Sequence, residues 1–198
     1  MTSTSTKFSD RMEAWLNQSS DKTLASLGVA FAEKSFAVVI LLLMIIPSTP
    51  LPTGGITHIL EIIAALLALE LALGFKSIWL PTKWKDRQVG GIIKGKAITI
   101  LVNRIRWFEK YSRSRLGYIV KNKIIVRLTG LVILIFTFSA FFAPPFSGLD
   151  TLPSLGVVLI CLALILEDGA LMIVGYLVGI SGMMLMLFLS STIIKLFH

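Results

Sequence analysis

Cysteine is nearly missing from this chain: Cys161 stands alone among 198 residues. One thiol excludes an intramolecular disulfide and every two-cysteine redox or zinc motif, so Cys161 is expected to act as a small apolar residue inside a helix. Charge is also scarce, since Asp, Glu, Lys and Arg together make up 15% of the residues. Histidine occurs twice, at His58 and His198, and no group of potential ligands has the spacing of a metal site. The sequence offers no nucleophile paired with a base and no pair of catalytic carboxylates with a plausible pocket, so neither an enzymatic activity nor a cofactor is expected.

What the chain has in excess is apolar surface. Hydrophobic residues make up 55% of it, and the mean hydropathy is +0.84. One soluble core cannot hide that much, so most of it is expected to meet lipid, in an all-α integral membrane protein. The first 35 residues are rich in Ser and Thr and carry four basic and four acidic side chains. They lack the pattern of a cleavable leader, and the first apolar run is expected to stay in the mature protein.

Apolar runs cover Phe36–Ile46, Ile56–Leu73, Leu128–Phe142, Leu152–Leu166 and Ala170–Ile194. A helix needs about 20 residues to cross a hydrocarbon core, and only the last run has them to spare. The first four form two pairs, each broken by residues that cannot continue a helix. The first break, PSTPLPTGG, contains Pro47, Pro50, Pro52, Gly54 and Gly55; the second, APPFSGLDTLP, contains Pro144, Pro145, Gly148 and Pro153. A shift of 95 residues brings Pro50 onto Pro145, Gly74 onto Gly169 and apolar runs onto apolar runs. Short, interrupted segments at matching places in two halves point to an internal repeat with a site at its interface. The expected organisation is a polar N-terminal segment (1–35), a first broken hairpin (36–74), a basic linker (75–127), a second broken hairpin (128–166) and a final transmembrane helix (167–198). Each hairpin either spans fully or is re-entrant.

The formal charge of +8 is concentrated in the linker, where Lys76 to Arg127 holds 14 of the 19 basic residues and two acids, Asp86 and Glu109. Such a segment between membrane runs is expected on the cytoplasmic side, close to anionic lipid headgroups. Within it, Ala97, Leu101, Ile105, Phe108 and Leu116 fall near one helical face beside Arg104, Arg106, Lys110 and Arg113, the pattern of an amphipathic helix lying in the interface. No strand pattern supplies a stacking platform, so nucleic acid is not expected as a partner. GGIIKGKA places Gly90, Gly95 and Lys96 as in a phosphate-binding loop, but Ala97 replaces the metal-binding hydroxyl and no strand precedes it. That match is read as accidental.

The polar residues in and beside the apolar runs are the remaining candidates. His58 and Glu61 share a helical face and are placed to hydrogen-bond, with Glu61 expected near headgroup level, where ionisation costs little. Glu70 points roughly the opposite way and is expected to pair or to snorkel toward the linker, with a role as a proton or ion ligand as the alternative. Glu167 and Asp168 read as a polar turn before the last span, suited to the linker arginines. Gly175, Gly179 and Gly182 let helix backbones approach, within the chain or between copies in a homo-oligomer.

With these features in place, the ordered series of ITHILEIIAALLALELALG, the WLP of Trp79–Pro81, FEKYSRSRLG, the second proline break and LPSLGVVLICLALILEDGALMIVGYLVG resembles the ExoD family of bacterial membrane proteins, from about residue 24 onward. Gly74, Trp79, Leu80, Pro81, Glu109, Arg115, Pro153, Asp168 and Gly169 match the family pattern. Glu70 departs from a usual glutamine, Phe75 from a basic residue, and Glu167 from an arginine. The resemblance implies a multi-pass protein of the bacterial cytoplasmic (inner) membrane associated with exopolysaccharide synthesis. The expected role is a non-enzymatic accessory or scaffold; the alternative is a small transporter or channel with its site between the two breaks.

Overall fold

The computed structural model describes residues 8–18, 34–49, 56–75, 78, 103, 105–107, 109–110, 117, 120, 122–143 and 147–197. Nearly all of these residues are helical or lie in turns and bends, with no strand among them. The helices are α1 (Phe8–Gln18), α2 (Ser35–Met44), α3 (Ile56–Leu73), α4 (Lys123–Phe141), α5 (Thr151–Leu166) and α6 (Gly169–Phe197).

Local chemistry sets their ends. α2 gives way at Pro47 to a turn in which the Ser48 hydroxyl donates to the Ile45 carbonyl at 2.8 Å and the Thr49 hydroxyl to that of Ile46 at 2.7 Å. α3 stops at Gly74, whose φ of +83° suits a residue without a Cβ. Asn122 caps α4 by accepting from the Ile124 amide at 2.9 Å. Pro153 sits in the first turn of α5, where a missing amide hydrogen costs nothing. α5 ends at Glu167, which adopts the left-handed conformation with φ of 57°. Asp168 then starts α6, its Oδ1 accepting from the amides of Ala170 and Leu171 at 3.0 and 3.3 Å.

α5 is the central element. It packs most extensively on α6 and also on α2 and α4, while α3 packs on both α4 and α2. Residues on every side of α5 are buried, including Val157, Ile160, Cys161, Leu164 and Ile165, as befits a helix that is apolar all round. α2 is nearly as enclosed, with Phe36 through Leu41 buried. α3, α4 and α6 instead leave one apolar face open. Helices of 19 residues at Lys123–Phe141 and 21 residues at Gly169–Leu189 are long and apolar enough to cross a membrane.

The closest packing uses glycine. A Cβ on Gly156 would lie 2.6 Å from the Cα of Gly179, and one on Gly175 would lie 2.9 Å from the backbone nitrogen of Ile160. Gly182 faces Pro153 at 2.7 Å by the same measure. The glycines of α6 thus abut α5 within one chain. The Phe136 ring of α4 lies against Gly179, so three helices meet at one notch. Gly130 does the same for α3 and α4, where a Cβ would come within 2.7 Å of the Ala72 nitrogen.

Polar contacts lock the end of the bundle away from the proline breaks. The Lys34 ammonium donates to the Ile165 carbonyl at 2.7 Å and pairs with Glu167 at 2.9 Å, tying the start of α2 to the end of α5. The Arg127 guanidinium lies over Gly74, at the end of α3. Thr129 and Tyr176 join α4 to α6 through their hydroxyls at 2.8 Å. α1 docks on the linker: Ser9 bonds the Glu109 carboxylate through both its amide and its hydroxyl, and Glu13 accepts from Arg106 at 2.5 Å. Ile105, from the predicted apolar stripe, is buried; Ala97, Leu101, Phe108 and Leu116 lie outside the described residues, as does the phosphate-loop-like GGIIKGKA.

Gly156→Ala therefore forces backbone apart and is expected to cost about 1–3 kcal/mol, seen as a lower melting temperature of the purified protein. Gly148→Ala is the control: its φ is +67° but nothing lies within 4 Å of an added Cβ, so only backbone strain of about 1 kcal/mol is expected. At Glu167 two effects oppose each other. Glu167→Gly relieves left-handed strain of about 1–2 kcal/mol and loses a half-exposed ion pair worth about 1 kcal/mol or less, so its melting temperature should hold or rise. Lys34→Met loses the pair with no relief and should melt lower.

Candidate functional site

The start of α3 and the start of α5 bring polar groups together at the opposite end of the bundle. His58 and Glu61 stand one turn apart on α3, with His58 Nδ1 3.0 Å from Glu61 Oε2. The His58 ring packs edge-on against Phe141, the last residue of α4, with ring centroids 5.5 Å apart. Asp150, immediately before α5, lies within electrostatic range of both His58 and Glu61. Burial lifts the Asp150 carboxyl above the ordinary aspartate range, opposed by backbone hydrogen bonding and by His58.

Glu61 is fully buried, as is Ser154, and Thr57 is 3% exposed. Glu61 is thus enclosed by protein. The position of Glu61 in the sequence shows its distance from the break but not that α2 and α4 flank α3 there. Glu61 Oε1 has no hydrogen-bond partner among the described residues, nor have the hydroxyls of Thr151 and Ser154. Buried oxygens left without partners are rare and costly, so three at the starts of two helices mark this end of the molecule as chemically unusual. The His58 side chain is 25% exposed and connects the buried carboxylate to the outside.

The other candidates lie elsewhere. Glu70 is half-buried on the far part of α3. Glu167 pairs with Lys34, a partner from the N-terminal segment, and Asp168 caps α6. Pro47 and Pro153 are buried at the ends of α2 and α5, and Gly148 is exposed; Pro50, Pro52, Gly54, Gly55, Pro144 and Pro145 lie outside the described residues. Asp150, Thr151 and Ser154 were not singled out from the sequence. A signal existed: an aspartate three residues before a proline reads as the residue preceding a helix. Among the described residues no three His, Cys, Asp or Glu side chains are grouped to hold a metal ion.

Comparison with known proteins agrees with the resemblance noted in the sequence. The family described as "Exopolysaccharide synthesis, ExoD" matches residues 8–188. Protein ExoD of Rhizobium meliloti (strain 1021) is 26% identical over 162 residues, which cover 78% of this chain and 64% of that protein. Uncharacterized protein slr1875 of Synechocystis sp. is 24% identical over 164 residues, covering 79% of this chain and 75% of its own. No solved structure gives a significant match. With the match running from α1 into α6, the chain belongs to the ExoD family, associated with exopolysaccharide synthesis.

Proposed function

We propose that this protein is a non-enzymatic, multi-pass component of the bacterial inner membrane that serves exopolysaccharide production as an accessory or assembly element. The observation that carries the membrane reading is a set of exposed apolar stripes at helical spacing. On α4, Ile124, Leu128, Leu131, Ile135, Phe138 and Phe142 are all exposed; α3 repeats the pattern from Ile59 to Leu73, and α6 from Ile173 to Phe188. Soluble monomers rarely leave contiguous apolar surface on this scale, and the α4 stripe runs about 27 Å, close to the thickness of a hydrocarbon core.

In this reading the two short apolar helices are interior supports. α2 and α5 face protein rather than lipid, so their 10 and 16 residues need not match the bilayer. α3 and α5 start 95 residues apart, and both end in a left-handed residue, Gly74 or Glu167, which supports the internal repeat. The positive-inside rule puts the linker in the cytoplasm beside anionic headgroups, although Arg106 already faces Asp10 and Glu13 of α1. The α6 glycines are engaged with α5, so homo-oligomerisation needs another surface than the glycine face.

A transporter is the second reading, favoured by one observation: charged groups from beside both breaks, His58, Glu61 and Asp150, lie within electrostatic range of one another. Proteoliposomes that pass ions or sugars would favour it over the accessory role.

Leu131→Arg and Leu177→Arg test the membrane reading. Each should cost about 2.5–3.5 kcal/mol near the middle of a bilayer and lower the amount of protein in the membrane fraction. If either variant raises the yield of detergent-free soluble protein, the exposed stripes face water and the proposal fails. Deleting the gene should lower secreted exopolysaccharide, with recovery on re-expression; unchanged secretion would remove the assigned role.

A further inference from the structure

The buried carboxylate of Glu61 has a use that neither the accessory nor the transport reading assigns. Its Oε2 faces His58 Nδ1 at 3.0 Å, while its Oε1 is sealed from solvent and has no partner among the described residues. A second carboxyl, Asp150, stands in electrostatic range. The helices packed on α3 bring no further charge to this end: α2 contains no ionisable residue, and the basic residues of α4, Lys123 and Arg127, lie in its first turns, with Arg127 over Gly74 at the opposite end of α3. Two acids and one imidazole therefore lie within electrostatic range of one another without a fixed cation among the described residues.

An ionised pair of acids in such a place is unfavourable, because each loses its water and each repels the other. One proton removes most of that cost. The proton has its seat on Oε2, which then donates to His58 Nδ1, and the neutral carboxyl makes the unpartnered Oε1 less costly to keep buried. The hydroxyls of Ser154 and Thr151, also buried and without partners, mark the α5 side of the same end.

We propose that Glu61 is a reversible proton-binding site, with the proton carried on its carboxyl and its hold set by His58 on one side and Asp150 on the other. His58 is the route of exchange, being both hydrogen-bonded to Glu61 and in contact with solvent. The proton comes from water and returns to it: water protonates the outer ring nitrogen of His58 while the Nδ1–H bond breaks as an O–H bond forms on Glu61 Oε2, and the reverse steps release it. The proposal stands on the buried, half-partnered Glu61 carboxylate and its contact with His58, so its failure leaves the accessory and transport readings intact.

The test is an infrared pH titration of the purified full-length protein in lipid nanodiscs, with glutamate labelled by carbon-13 to separate its carboxyl signal from aspartate. A protonated glutamate band should titrate reversibly and be absent from Glu61→Gln, which preserves shape and hydrogen bonding. Removing the neighbouring negative charge in Asp150→Asn should move the midpoint down by about half to one pH unit, and removing the imidazole in His58→Gln should move it up. A band that persists in Glu61→Gln, or midpoints unmoved in both other variants, would overturn the assignment. So would a titration displaced by sodium chloride but not by choline chloride, which would make the occupant a metal cation.

Discussion

Everything in this fold depends on how closely α5 and α6 approach. Gly156 meets Gly179 backbone to backbone, and the Phe136 ring fills the notch that Gly179 leaves. Dispersion between closely fitted surfaces is effective only at such short range, and it is what remains to hold helices together where water supplies no contrast. From this contact follow the central place of α5, the seating of α4, and the position of α3 through Gly130 and Ala72. The polar cluster inherits its geometry from the same packing: Asp150 is where it is because α5 is held against α4 and α6, and His58 because α3 is held against α4.

The two ends of the bundle treat their polar groups differently. At one end, groups are matched: Lys34 with Glu167, Thr129 with Tyr176, and Asp168 with the α6 amides. At the other, Glu61 Oε1, Thr151 Oγ1 and Ser154 Oγ lack partners among the described residues. Matched contacts stabilise and specify a fold. Unmatched ones in the interior lower stability, and a sequence that retains them has a reason that is not packing.

Much of the helical layout was legible in the sequence. The apolar run Ile56–Leu73 coincides with α3, and Leu152–Leu166 lies one residue inside α5. α4 reaches back beyond its apolar run to Lys123, because Asn122 caps it and charged side chains are tolerated at an exposed helix end. The His58–Glu61 hydrogen bond followed from a spacing of three. Which helix lies inside was not legible. α5 and α6 are both apolar all round, and composition cannot tell a face that meets lipid from one that meets protein. Nor was the pairing of Glu167 with Lys34, or the proximity of Asp150 to Glu61, because contacts between residues so far apart in the chain leave no local pattern.

The separation of charge along the bundle has an electrical consequence for a chain lying in a bilayer. At one end Lys34 is cancelled by Glu167, and Arg127 and Asp168 stand near the start of the basic linker; Glu61 and Asp150 stand at the other. A resting voltage acts on each elementary charge with about 2.3 kcal/mol per 100 mV across its full drop. In the proposed placement a negative interior therefore draws inward the end that carries the basic linker and pushes outward the end that carries Glu61 and Asp150 whenever they are ionised. For a chain so placed, voltage and loop charge act in the same sense and favour one orientation.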